Sequence, residues 1–84
     1  MIFKEENIIV YCKDDYFKKF DNKDLCYNYG LCYYRGYLIH RQAGPALEWN
    51  NGEKYWFFNG HEYSEEEYWK IINLKKKKKV LYDI

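Results

Sequence analysis

Apolar positions come in short runs along the chain, and the polar or glycine-containing gaps between them predict most of the elements. Asn7-Ile8-Ile9-Val10-Tyr11-Cys12 is rich in β-branched and aromatic residues and reads as a strand, ended by the polar Lys13-Asp14-Asp15. Tyr16, Phe17 and Phe20 fall at i, i+1 and i+4, the spacing of a short helix capped by Asp14 or Asp15, and Asp21 to Asp24 read as a loop. From Leu25 brief aromatic runs alternate with glycines. Leu31-Cys32-Tyr33-Tyr34 and Tyr37-Leu38-Ile39 flank Arg35-Gly36, and Ala46-Leu47-Glu48-Trp49 and Lys54-Tyr55-Trp56-Phe57-Phe58 flank Asn50-Asn51-Gly52. Both patterns predict hairpins, Asn59-Gly60 adds a further turn, and Gly44-Pro45 breaks the chain between them. In the strand after Asn50-Asn51-Gly52, alternation puts Lys54, Trp56 and Phe58 on one face and Tyr55 and Phe57 on the other.

Ser64-Glu65-Glu66-Glu67 has the Ser-x-x-Glu form of a capping box and starts the best-signalled helix, expected over 64–79. Tyr68, Ile71 and Ile72 share a face with Trp69 beside it. Three glutamates at the start and Lys75 to Lys79 at the end suit the two poles of the helix macrodipole. Residues 80–84 alternate and read as a terminal strand or tail. The organisation expected is one domain over 1–84: an N-terminal strand with a short helix or loop (1–32), repeat-like hairpins (33–63), the helix and the tail. The fold class is α+β, a small antiparallel sheet of hairpins with a C-terminal helix.

Composition sharpens this picture. With 84 residues the chain is one small domain, which buries about 60 to 65% of its unfolded surface. Its apolar material is mostly 11 Tyr, 3 Trp and 5 Phe, rings that bury their bodies while a polar edge stays wet. So small and aromatic a domain is expected to self-associate, as a two-fold dimer or a closed ring. Fourteen basic against 13 acidic side chains leave a formal charge of +1, which argues against duplex nucleic acid as a partner. No apolar run approaches the roughly 18 to 20 residues of a membrane helix and the start lacks the order of a secretory signal, so the expected location is the cytoplasm, with no membrane partner. Cys12, Cys26 and Cys32 show no Cys-x-x-Cys spacing and read as reduced structural thiols; no metal and no cofactor is expected.

Several residues could carry chemistry. Arg41 can fork onto a phosphate or carboxylate with His40 donating beside it, or the pair can instead hydrogen-bond the carbonyls of the Gly44-Pro45 turn and hold adjacent hairpins in register. Trp56 beside Lys54, with Trp49 on the facing strand, can stack a nucleobase next to a cation, as can Arg35 with Tyr33, Tyr34 and Tyr37; equally, these rings can be core. Lys75 to Lys79 can serve as an anion patch or as a solvated helix end. Nucleotide-binding loops and His-Glu-x-x-His are missing, so the chain is read as non-catalytic.

Tyr33-Tyr34-Arg35-Gly36-Tyr37 and Phe57-Phe58-Asn59-Gly60-His61 echo one another. Gly36-Tyr37-Leu38-Ile39-His40-Arg41-Gln42-Ala43-Gly44-Pro45-Ala46, followed by Asn51-Gly52-Glu53-Lys54-Tyr55-Trp56-Phe57-Phe58-Asn59-Gly60, resembles the MORN-like repeat written NGKLHRxxGPA…NGxKxWxxNG, common in small proteins of bacteriophages and large DNA viruses. The resemblance covers residues 33 to 70. It implies a mostly β fold and a viral source, and no catalysis. The function expected on that footing is a phage-like accessory protein for counter-defence, an immune-evasion sponge that binds a small anionic ligand such as a host nucleotide signal between subunits of a homo-oligomer. The ligand residues on that reading are Arg35, His40, Arg41, Trp49, Lys54 and Trp56. The alternatives are an inhibitor or adaptor that binds a host protein, and a minor structural protein of the virus.

Overall fold

The computed structural model describes residues 1–18 and 25–82. Eight strands and one helix lie among them: β1 (Ile2–Lys4), β2 (Ile8–Phe17), β3 (Leu25–Asn28), β4 (Leu31–Tyr34), β5 (Tyr37–Ile39), β6 (Leu47–Trp49), β7 (Lys54–Phe58), β8 (His61–Tyr63) and α1 (Glu65–Tyr82). The sheet is antiparallel and curled, in the order β3-β4-β5-β2-β6-β7-β8, with β1 on β2. The fold is therefore α+β, hairpins with a C-terminal helix. No helix among the described residues is long and apolar enough to cross a membrane.

β2 is the spine. Ile8, Ile9 and Val10 face Trp49, Glu48 and Leu47 of β6, while Cys12 and Phe17 face Ile39 and Tyr37 of β5. The expected strand end at Lys13 and the expected helical turn over Asp15 to Phe17 are both corrected here. β5 supplies backbone partners beyond Cys12, and the ladder absorbs the polar residues through a register shift, leaving Asp14 and Asp15 exposed. Phe17 then packs its ring 5.0 Å from that of Tyr37. Phe20 and the loop Asp21 to Asp24 lie outside the described residues.

Three turns share one form. Tyr29-Gly30, Arg35-Gly36 and Asn59-Gly60 each have positive φ at both central residues (52° and 79°, 52° and 89°, 50° and 83°), as a type I′ hairpin requires. The echo between Gly36 and Gly60 is thus an echo of turn geometry. At Asn50-Asn51-Gly52 only Gly52 is left-handed, and Gly52 N–H donates to the Trp49 carbonyl at 3.0 Å, the form of a three-residue hairpin loop that closes on a glycine bulge.

β7 divides the interior. Phe57 and Tyr55 join Val10, Cys12, Cys32, Tyr34, Ile39, Ala46 and Leu47 in the main core. Phe58 and Trp56, on the opposite face, pack with Tyr68 and Ile72 of α1. The capping box forms: Glu67 N–H donates to Ser64 Oγ at 3.2 Å and Ser64 N–H to Glu67 Oε1 at 3.3 Å. The helix runs on to Tyr82, past the expected end at Lys79, so Val80 to Tyr82 are helical instead of a terminal strand or tail; Asp83 and Ile84 lie outside the described residues.

The sheet curls because the tip of the β7–β8 hairpin is sewn to the other half of the molecule. Gly60 N–H donates to the Ile39 carbonyl and the Gly60 carbonyl accepts from Cys32 N–H, both at 2.8 Å. A Cβ at Gly60 would lie 2.5 Å from Leu38 Cδ1, whereas one at Gly52 would meet nothing within 4 Å. Gly60→Ala therefore combines left-handed strain with overpacking, and is expected to cost about 2 to 3 kcal/mol and to lower the melting temperature by about 10 °C or more. Gly52→Ala, with the φ penalty alone, is expected to cost about 1 kcal/mol. Thermal denaturation of the two variants side by side checks both values.

Candidate functional site

Most of the residues singled out from the sequence turn out to be joined to the protein itself. His40 Nδ1 accepts from Asn59 N–H at 2.8 Å, so it caps the β7–β8 turn and not the carbonyls of Gly44-Pro45. Its ring meets Phe58 edge-on at 4.7 Å. Arg41 lies 3.8 Å above the Tyr11 ring, donates to the Pro45 carbonyl at 3.0 Å and stands 3.6 Å from Glu48. The Arg41 carbonyl accepts from the Tyr68 hydroxyl, and Gly44 N–H donates to the same hydroxyl at 3.4 Å. Residues 40–46 thus form a clamp linking β2, the β7–β8 turn and α1. The glycine at 44 leaves room for the Arg41 guanidinium, which would stand 3.2 Å from a Cβ there.

The other candidates are dispersed. Arg35 pairs with Glu5 at 2.7 Å and covers the Phe3 and Tyr34 rings. Trp56 sits under the helix, its ring 5.1 Å from Tyr68 and 5.6 Å from Trp69. Trp49 lies on the opposite face of the sheet from Trp56, so the two do not form one stacking platform. Lys54 is exposed on the outer hairpin. Lys75 places its ammonium 5.0 Å from the Phe58 ring. The cations of the expected anion site do not converge within one copy.

What the curl does create is a groove of about 230 Å³. Strand register builds it from facing pairs: Tyr27 opposite Cys32, Leu47 opposite Tyr55, and Phe57 opposite Glu62, with Leu25 and Trp49 continuing the same faces. Tyr27 and Trp49 on its rim are 64% and 37% exposed. The Tyr27 hydroxyl points to Glu62 Oε1 at 3.5 Å, and the Tyr55 hydroxyl donates to Glu53 at 3.2 Å. Burial first, then Cys32 and Glu62 beside it, push the Tyr27 hydroxyl up; burial, then Cys26 and Glu62, push the Cys32 thiol up to about 11. The hydrogen bond to Glu53, then the charge of that carboxylate, pushes the Tyr55 hydroxyl up. Burial likewise pushes Cys12 up to about 12, so neither buried thiol is a ready nucleophile. Among the described residues no group of three His, Cys, Asp or Glu side chains is placed to hold a metal ion.

Of these residues, sequence reasoning singled out Trp49 alone as a ligand contact. Tyr27 and Glu62 were within reach only through the strand register, because nothing local marks a residue as facing a groove that distant strands complete.

The chain matches no family model, no curated protein and no solved structure.

Burial, then the Lys13 ammonium, lowers the pKa of His40, against an opposing pull from Asp15, and Lys75 adds to the lowering. The unfolded chain takes up a proton near pH 6.5 while folded His40 resists it. The contribution is whole above about pH 6.5 and is lost as pH falls through that value toward the lower folded one. The melting temperature is expected to fall between pH 7 and 5, and His40→Gln, which keeps an acceptor but cannot charge, is expected to flatten that fall in a thermal pH series. Thiol labelling of the native protein at neutral pH is expected to modify half-buried Cys26 first, with Cys12 and Cys32 following only on unfolding, as mass spectrometry of the labelled peptides checks.

Proposed function

We propose that the chain is a non-catalytic binding module, an adaptor or inhibitor that receives an extended segment of a partner protein in the aromatic groove. The exposure of Tyr27 and Trp49 on the rim of a hollow assembled from several strands carries this reading. Large rings left in water beside a formed hollow are the residues that dominate binding energy when a partner desolvates them. β3, which brings Leu25 and Tyr27, ends the strand order of the sheet, and a sheet edge accepts an added strand through its backbone groups.

The groove favours this reading over sequestration of an anionic nucleotide. Arg35 and Arg41 already have carboxylate and ring partners, and Lys54 stands apart on the outer hairpin. A nucleotide site would have to be assembled from the cations of more than one copy.

Selection of a random displayed peptide library against the immobilised chain is expected to yield sequences that bind in solution with micromolar affinity. Trp49→Ala is expected to weaken them by about 2 kcal/mol, roughly thirtyfold, and Tyr27→Ser by about 1 kcal/mol or more, in calorimetric titrations. Recovery of no sequence whose binding depends on either residue overturns the reading.

A further inference from the structure

We propose that the groove recognises a cationic side chain, a lysine or arginine of the incoming segment; this rests on the reading of the groove as a protein-binding site and names what it selects. In the groove the Tyr55 hydroxyl donates to Glu53 at 3.2 Å, and the Tyr27 hydroxyl has Glu62, 3.5 Å away, and the Cys32 sulfur as the neighbours that take its proton. Toward a ligand, each hydroxyl therefore offers an oxygen lone pair, and Glu62 is an acceptor as well. Leu25, Leu47 and Phe57 bring no polar side-chain atoms, Trp49 adds one indole N–H and Cys32 a weak S–H donor, and no lysine or arginine lines the groove among the described residues. A groove with acceptors and an anionic charge, and with few donors to match them, is satisfied by a ligand that brings N–H donors and positive charge.

The rings add to this. Tyr27, Trp49, Tyr55 and Phe57 present aromatic surface around the same hollow, and the negative face of such a ring attracts a cation. Elsewhere this chain already pairs its own cations with rings: Arg41 lies 3.8 Å from the centre of Tyr11, and Lys75 5.0 Å from that of Phe58. The groove repeats the ring-and-carboxylate half of the Arg41 site, where Tyr11 and Glu48 hold the guanidinium, without the cation. The hollow on the other side of Trp49 is a weaker candidate, because two of its three carboxylates, Glu5 and Glu48, are already paired with Arg35 and Arg41.

The test follows the tryptophan indole N–H signals in nitrogen-edited NMR spectra of the intact chain during titration with small probes. Choline and Nα-acetyl-lysine methylamide are expected to move the Trp49 signal, identified by its loss in Trp49→Phe, with millimolar saturation. The neutral counterparts, 3,3-dimethylbutanol and the Nε-acetylated lysine derivative, are expected to bind about tenfold or more weakly. Glu62→Gln, an exposed and nearly isosteric change, is expected to weaken the charged probes several-fold and leave the neutral ones unchanged. Equal response to charged and neutral probes, or no saturable shift of the Trp49 signal up to about 50 mM probe, overturns the proposal. The two readings fail separately: library peptides that depend on Trp49 but show no preference for Lys or Arg preserve the protein-binding groove and remove cation selection. Saturation by choline with no peptide selected preserves the cation site and removes the protein partner.

Discussion

Four hydrogen bonds around one two-residue turn hold the halves of this protein together. Asn59 donates its amide to His40 Nδ1 and accepts at its side chain from Lys13 Nζ at 2.9 Å, while Gly60 exchanges backbone bonds with Ile39 and Cys32. The turn thereby touches β2, β4, β5 and the chain just after β5. Without it the molecule would be two hairpin groups hinged on β2; with it, β8 is drawn toward β4 and the sheet curls. Buried backbone groups must find partners, and here the partners lie far apart in sequence, so the curl and the hydrogen bonding are one constraint.

Both the core and the groove depend on that curl. β7 sends Phe57 and Tyr55 inward to the main core and Phe58 and Trp56 outward, where α1 covers them with Tyr68 and Ile72. The hydroxyl of Tyr68, bonded to the Arg41 carbonyl and the Gly44 amide, ties the helix to the same loop that supplies His40. Residues 40–46 serve as a structural joint, and their charges are committed to it. The surface left over for recognition is on the concave side, where the register brings Tyr27, Trp49 and Glu62 to one hollow. Recognition there draws on ring faces and acceptor atoms, the parts of an aromatic-rich composition that folding has not consumed.

Much of the fold was legible because it is written locally. The Ser64 to Glu67 box, the X-Gly turns at Arg35-Gly36 and Asn59-Gly60, and the two faces of Lys54 to Phe58 follow from side-chain chemistry within a few residues. The short helix expected around Phe17 failed for the opposite reason: a helical spacing of rings has little force when β5 pairs Phe17 with Tyr37 and Gly36, just before it, takes the Lys18 amide. Strand β1 and the β3 edge gave equally weak local signals, because three or four residues become a strand only when a neighbour pairs with them. Of the candidate site, Trp49 could be seen in the sequence, but its companions could not. His40 and Arg41 looked like free chemistry because their partners, Asn59, Tyr11 and Glu48, come from other segments.

By itself, the sequence determined the α+β class, the hairpin turns, the start of the helix and the alternation that gives β7 two buried faces. Each of these depends on covalent geometry and near neighbours. Only the tertiary structure decided which charges are spent and which hollow stays open, because pairing and exposure are properties of residues brought together from distant strands. A basic residue and a ring look the same in the chain whether they await a ligand or already hold each other; folding alone separates Arg41 on Tyr11 from Trp49 beside Glu62.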